Sequence, residues 1–309
     1  MPFAFDSFRV EEKTLAFALL MRRYNIEMRD AQKIIDKGRL LCNGETIIKK
    51  NENIAGEIKV LRFMPKSRGL APIFKTDNFM VFDKPSGVLV HPNRVLTPYS
   101  ILDEVRHFGN RNSNSVHRID METSGLVLAS IHRKCEIRLK TMFEQKKIKK
   151  SYLAWVTGNT PEQFSVDAPI KVRDDYSFSK HKVTISSSGK SAYTEFTKLL
   201  YKPEIDASLL SIKPFTGRTH QIRIHLFHMK HPILGDPLYS TDYKISEAYL
   251  EERLTKEERI IYTGAERLLL HANTLEFTTT NKYYIKSNEK FDKKYKLIAV
   301  PKIRKLCFT

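Results

Sequence analysis

Three ionisable residues, His117, Arg118 and Asp120, stand in the stretch "SVHRIDMETSGLVLAS", residues 115–130, just ahead of an apolar run. A carboxylate held between an arginine and a hydrophobic segment is either a structural ion pair or a reactive group. A nearby cation favours the ionised form that both roles need. Other pieces that could share its chemistry are spread along the chain. "DKPSGVLVHP" (83–92) reads as a turn between two strands. "KKSYLAWVTG" sets Tyr152 behind a run of lysines. "KPFTGRTHQIRIHL" brings Arg218, His220, Gln221 and Arg223, and "HPILGDPLY" and "RLLLHANTLEF" follow.

Several familiar sites are missing. No GxGxxG, Gly-x-x-x-x-Gly-Lys, GxSxG or HExxH occurs, so dinucleotide binding, P-loop hydrolysis and the usual serine hydrolase lose support. "HLFHMKH" spaces His225, His228 and His231 three apart. Those three cannot all face one direction on a helix, so no metal site is expected there.

The elements that must position these groups belong to a strongly basic chain. Over 309 residues the formal charge is +18, with 41% hydrophobic residues and 18 Phe. That length supports two folded domains, and the charge implies attraction to polyanions, either nucleic acid or an anionic membrane surface. The longest apolar run, "LAFALLM", is far short of the roughly 20 residues of a spanning helix. No secretory signal pattern opens the chain. Cys42, Cys135 and Cys307 form no CxxC pair and are odd in number. A disulfide framework is therefore not expected, and a reducing, cytoplasmic setting is.

Residues 1–64 read as one unit. "KTLAFALLMRRY" carries an apolar face at helical spacing, and "MRDAQKIIDKG" makes a second helix, capped by Asp30 and stopped at Gly38. Asn43-Gly44 signals a hairpin turn, and "EIKVLRF" closes it as a strand. Basic residues cluster here: Arg22, Arg23, Arg29, Lys33, Lys37 and Arg39. A linker is expected over 65–72, within "MPKSRGLAP".

From 73 to 309 short strands dominate: "FMVFDKP", "GLVLAS", "SYLAWVTG", "HKVTIS", "AYTEFTKLLY", "SLLSIKP" and "TLEFT". "RKCEIRLKTMFEQKK" and "THQIRIHLFHMK" look helical, and residues 240–260 look like a charged surface insertion. The class is α+β, with a mixed, largely antiparallel sheet. "METSG" could open a helix, but "GLVLASI" reads better as a core strand that fixes the loop before it. Gly87, Gly125, Gly217 and Gly235 are read as turn formers.

Two resemblances follow. "RDAQKIIDKGRLLCNGE" resembles the small S-four-like RNA-binding module, although the module's usual opening pattern is replaced by "KTLAFALL". "HRIDMETSG" and "GRTHQIRIHL…HPILGD", in this order, resemble the RluA-type family of pseudouridine synthases over roughly residues 70–280. The resemblance implies an enzyme that isomerises uridine in rRNA or tRNA, rRNA in preference. It implies Asp120 as the catalytic aspartate, Tyr152 as the active-site tyrosine and Arg223 as the arginine paired with the aspartate. It puts Arg118 at displacement of the target base, and Leu270 or its neighbour Leu269 at an apolar wall. His220 and Gln221 fall on the substrate side, with His117 and His220 orienting neighbours. Met121 replaces a residue that is often basic. Relatives suggest a monomer without protein partners.

The chemistry agrees with that implication. Isomerising uridine breaks the bond from the anomeric carbon to nitrogen and rejoins the base through carbon 5. No water enters and no electrons are exchanged, so no cofactor or metal is expected. A glycosidase needs two carboxylates, whereas one stands out here. A tyrosine face could hold a base drawn from its stack. The rivals are a noncatalytic RNA-binding protein on the same scaffold and a nucleoside hydrolase; the latter would need a second carboxylate or a metal cluster.

Overall fold

The computed structural model describes residues 2–175, 181–292, 295 and 297–299; Cys307 lies outside the described residues. The chain opens with strand β1 (Phe3–Leu15), helices α1 (Ala16–Tyr24) and α2 (Met28–Asp36), and strands β2 (Leu40–Cys42), β3 (Glu45–Thr46) and β4 (Asn53–Phe63). These strands make a sheet in the order β1-β4-β2-β3. The two helices bury Leu20 and Ile35 against Ile58 and Val60. Asn43 and Gly44 both have positive φ, 51° and 89°, as a tight hairpin turn requires.

Two expectations shift here. The first helix starts at Ala16, because residues 13–15 complete β1, which pairs antiparallel with β4 from Phe3 opposite Phe63. Pairing with β4 overrides the helical spacing of those three residues. Asp30 is not the cap of α2. Glu27 holds that position, and Asp30 sits within the first turn, 3.0 Å from Lys33 Nζ.

Residues 64–72 carry no regular element, yet they are strapped down. Helix α3 (Ile101–Phe108) buries two carboxylates completely in its first turn. Asp103 accepts from Lys66 N at 3.0 Å, and Glu104 accepts from Arg68 N and Ser67 Oγ, both at 2.6 Å. The Arg111 guanidinium donates to the carbonyls of Tyr24 and Asn25, which end α1. This helix, unread in the sequence, is signalled by Ser100, whose N and Oγ both donate to Asp103.

The second part adds β5 (Phe74–Lys75), β6 (Phe79–Lys84), β7 (Asn114–Ser115), β8 (Ser124–Ser130), helix α4 (Arg133–Glu144) and β9 (Lys149–Thr157). It continues with β10 (Gln163–Asp167), β11 (Ile170–Val172), β12 (Val183–Ile185), β13 (Tyr193–Lys202), β14 (Ala207–Pro214) and α5 (Gln221–His228). Helices α6 (Tyr243–Leu250) and α7 (Lys256–Thr263) precede β15 (Leu270–Thr278) and β16 (Lys282–Lys286). Among the described residues ten strands form one sheet, in the order β10-β13-β14-β9-β15-β8-β6-β5, with β16 on β15 and β7 on β8. Only β15 and β8 run parallel, so the sheet is mixed and largely antiparallel, as expected. Its core holds Trp155, Phe82, Phe196 and Leu210. Each such side chain contributes about 1.5–3 kcal/mol by leaving water.

One row of that sheet sets the site. Ile212 on β14, Tyr152 on β9, Ala272 on β15 and Gly125 on β8 are successive partners across four strands. Gly125 is not in a turn. It has φ +105°, and a Cβ there would lie 2.2 Å from Ala272 O. Glycine therefore lets β8 approach β15 and brings the loop before it beside Tyr152. Gly87 and Gly235 do have positive φ; Gly217 does not.

One further expectation fails. No second strand follows "DKPSGVLVHP"; only Leu89 makes an isolated bridge, to Ser100. Instead the buried Lys84 ammonium collects the carbonyls of Pro85, Val88 and Met121, at 2.7–2.9 Å. Residues 240–260 lie largely at the surface, as expected, and are anchored there. Their helices α6 and α7 pack through Tyr249 and Arg259 onto Glu122, in the loop that carries Asp120.

Candidate active site

A shallow cleft open to solvent lies at this end of the sheet. It brings together Arg118, Asp120, Tyr152, His220, Arg223 and Leu270, drawn from the loop before β8, β9, α5 and the start of β15. Asp120 is the one carboxylate among the described residues lining it; Arg118, Lys150, Arg218 and Arg223 are the cations.

The loop 118–123 is held rigidly from behind. Thr123 N donates to Asp120 O at 3.2 Å, and Gly87 N and Lys84 Nζ donate to Met121 O at 3.0 and 2.8 Å. Ser86 Oγ donates to Glu122 O at 2.6 Å. Then β8 begins, and all its residues are buried. The apolar run anchors the loop as the sequence implied. Burial pushes the Lys84 ammonium down to about 7, with Asp120 opposing that shift.

Arg223 projects from α5 into the buried base of the cleft. Its Nε and Nη2 donate to Asp236 Oδ2 and Oδ1 at 2.7 and 2.8 Å, and its Nη1 faces Asp120 Oδ2 at 3.6 Å. Burial works against the Arg223 charge, and the carboxylates of Asp236 and Asp120 more than offset it, pushing its pKa up. Burial opposes the Asp236 charge in turn, but Arg223 and the N–H groups of Leu238 and Tyr239 hold its carboxyl below the usual range. Sequence reading paired Arg223 with Asp120 alone and missed Asp236, the tighter partner. The "GD" of "HPILGDPLY" was the available signal.

Tyr152 is 8% exposed and lines the cleft from β9. Burial, and then Asp120, push its hydroxyl well above the ordinary phenol range, so it stays neutral. Leu270 is buried and supplies the apolar wall, whereas the buried Leu269 does not line the cleft. Arg118 is exposed at the mouth.

His220 sits in the left-handed region with φ 51°. Its Nδ1 shares a hydrogen bond with the Tyr239 hydroxyl at 3.0 Å, and its Nε2 lies 3.8 Å from Asp120. Burial, then Arg223, push it down to about 4, so the ring is neutral near neutral pH. Gln221 also lines the cleft. Its Oε1 accepts from Thr216 Oγ1 and Arg218 N, and its Nε2 donates to Tyr193 O and Thr194 Oγ1. With both amide atoms engaged, it shapes the wall. Lys150, not singled out from sequence, also lines the cleft, its Nζ 3.4 Å from Thr216 O.

The three spaced histidines do not converge. His225 bonds Thr194 and Ala168 O, His231 bonds Thr157 O, and His228 is exposed. His117 lies behind the loop, where its Nε2 accepts from Leu128 N at 2.9 Å. Among the described residues no helix is long and apolar enough to cross a membrane.

One carboxylate thus stands among cations at the open end of a mixed sheet, with a tyrosine two strands away from β8. Residues 78–228 match the family described as RNA pseudouridylate synthase. An RNA pseudouridine synthase of Helicobacter pylori is 38% identical over 279 residues, 90% of this chain and 91% of the relative. The dual-specificity RNA pseudouridine synthase RluA of Escherichia coli K12 is 34% identical over 216 residues, 69% of this chain and 89% of the relative. The human RNA pseudouridylate synthase domain-containing protein 1 has the same fold, with TM-score 0.58 and 21% identity over 79% of this chain and 94% of that one. The chain belongs to the RluA-type family of RNA pseudouridine synthases, which are isomerases.

Proposed function

We propose that this chain isomerises specific uridines of rRNA, in preference to tRNA, acting as a monomer in the cytoplasm. Asp120 is the reacting carboxylate. The observation that carries this is its position: it is the one carboxylate of the described cleft lining, 3.6 Å from a guanidinium pinned by Asp236. A hydrolytic glycosidase would set a second carboxylate across the cleft. An isomerase, whose leaving group never departs, does not need one.

Tyr152 offers its face to the displaced uracil, Leu270 packs against it, and Arg118 at the mouth enters the RNA in its place. Breaking the anomeric bond to nitrogen and forming the bond to carbon 5 releases the carbon 5 hydrogen as a proton while the freed nitrogen takes one up, so the isomerisation balances without a cofactor. Cys42 and Cys135 are free thiols, which suits a reducing compartment.

Residues 1–64 act as an S-four-like RNA-binding domain, joined through 65–72 to a catalytic domain over 73–309. The basic residues on and beside α1 and α2 (Arg22, Arg23, Arg29, Lys33, Lys37 and Arg39) and the hairpin that follows support this reading. The module's likeness to a ribosomal protein favours rRNA. Phosphate contacts from such a surface make affinity fall steeply with salt.

The test is incubation with unmodified rRNA and tRNA transcripts, followed by mapping of pseudouridine. Formation at discrete rRNA positions, abolished by Asp120→Asn with RNA binding retained, is the expected result. Turnover surviving Asp120→Asn would remove the aspartate from the chemistry. Modification of tRNA alone would overturn the preference for rRNA.

A further inference from the structure

We infer that Arg259, on α7, is a positioning residue for the reaction, fastening the loop that carries Asp120 to the turn that carries Asp236. This rests on the reading of Asp120 as the reacting carboxylate. The Arg259 guanidinium donates through Nη1 to Glu122 Oε1 at 2.9 Å, and through Nη2 both to Glu122 Oε2 and to Gly235 O, the latter at 2.6 Å. Glu122 follows Asp120 by two residues, and Gly235 immediately precedes Asp236. The Tyr249 hydroxyl, from α6, also donates to Glu122, and the Arg259 guanidinium lies 5.3 Å from the Tyr249 ring centre.

These contacts close a ring. Asp120 faces Arg223, Arg223 is gripped by Asp236, Asp236 adjoins Gly235, and Arg259 ties Gly235 back to Glu122 beside Asp120. The Arg259 and Glu122 side chains are only 11% and 15% exposed, and neither lines the cleft. Arg259 is thus aimed at the back of the site rather than at RNA. A bidentate guanidinium fixes direction as well as distance, which a point charge does not. The helices α6 and α7 supply that guanidinium and its Tyr249 neighbour.

Transcripts of rRNA and tRNA carrying tritium at carbon 5 of uridine report turnover, because isomerisation releases that hydrogen. Single-turnover rate at saturating protein and filter-binding affinity are measured for the parent, Arg259→Ala, Arg259→Lys and Glu122→Gln, each checked for folding by circular dichroism. The expected result is a rate reduced about 10- to 100-fold in Arg259→Ala and Glu122→Gln, the scale of an ångström-level misplacement. Affinity stays near the parental value, and Arg259→Lys recovers part of the loss. A variant combining Arg259→Ala with Glu122→Gln, measured alongside, is no slower than the slower single one, because both remove one shared contact.

An unchanged rate in folded Arg259→Ala overturns the inference. So does weakened affinity with the rate retained, which would put α7 on the RNA. Should Arg259→Ala fail to fold, Glu122→Gln decides, since it leaves the bond to Gly235 in place. Asp120→Asn is run alongside. If it keeps turnover, the reading of Asp120 fails; if it is inactive while Arg259→Ala turns over at the parental rate, only the positioning role fails.

Discussion

Arg223 and Asp236 form a buried two-pronged ion pair, Nε to Oδ2 at 2.7 Å and Nη2 to Oδ1 at 2.8 Å, which leaves the third nitrogen of the guanidinium to face Asp120. The cation of the site is therefore fixed before any RNA arrives. Its direction is set by a carboxylate that never meets the cleft.

Replacing Asp236 by Asn strips that support and leaves a buried cation short of a partner. Breaking such a pair costs about 3–5 kcal/mol. The expected outcome is a lower urea midpoint with an unchanged slope, together with slower turnover under conditions where the variant stays folded. A variant as stable and active as the parent would show that Arg223 needs no such anchor.

Arg223→Lys keeps the charge and loses the fork. A single ammonium cannot bond Asp236 at two points and still face Asp120. Turnover should drop by roughly tenfold or more in a folded protein, read as the rate at saturating RNA. An unchanged rate would take Arg223 out of the site.

Gly125→Ala tests the sheet row that aligns the Asp120 loop with Tyr152. The added methyl would stand 2.2 Å from Ala272 O, at φ +105°. A strained conformation of this kind alone costs about 1–3 kcal/mol, and the clash adds to it. The melting temperature should fall and turnover with it; a melting temperature equal to that of the parent would mean that β8 and β15 can separate freely.

His117 gives a pH signature. Leu128 N donates to its Nε2, so the ring must be neutral there, and burial, then Lys150, push it down to about 3 from the usual 6.5. The unfolded chain therefore binds more protons between those values, and stability falls as pH drops from about 6.5 towards 3. His220, pushed down to about 4, adds in the same direction over the upper part of that window. Urea midpoints across this range should show the fall, and His117→Phe should flatten it. An equal slope in the variant would assign the acid sensitivity elsewhere.

Glu104→Gln weakens the strap on the segment between the two sheets. Arg68 N and Ser67 Oγ both donate to this carboxylate at 2.6 Å, and an amide offers a poorer acceptor and adds donors of its own. Tryptic cleavage after Lys66 and Arg68 should accelerate while the global melting temperature changes little. Equal cleavage rates would show that Asp103, bonded to Lys66 N, suffices.

The parts of this fold that were legible were those set by local pattern. The core strand "GLVLASI", the Asn43-Gly44 turn, the stop at Gly38 and most strands of the large sheet could be read from alternation, turn chemistry and apolar runs. What escaped depends on a partner distant in sequence. Strand β1 takes its form from β4, about fifty residues later, which is why its last residues looked helical. Helices α6 and α7 looked like a solvated charged insertion because the side chains that anchor them, Arg259 and Tyr249, are polar and find their partner at Glu122.

By itself the sequence determined the reaction class, through a basic chain and a specific pair of motifs, and singled out a lone carboxylate placed just before a core strand. The tertiary structure alone decided how that carboxylate is held. Asp236, Lys84, Gly125 and Arg259 reach the site through buried charge pairing and close strand approach. Both act through space between segments that spacing along a chain does not connect.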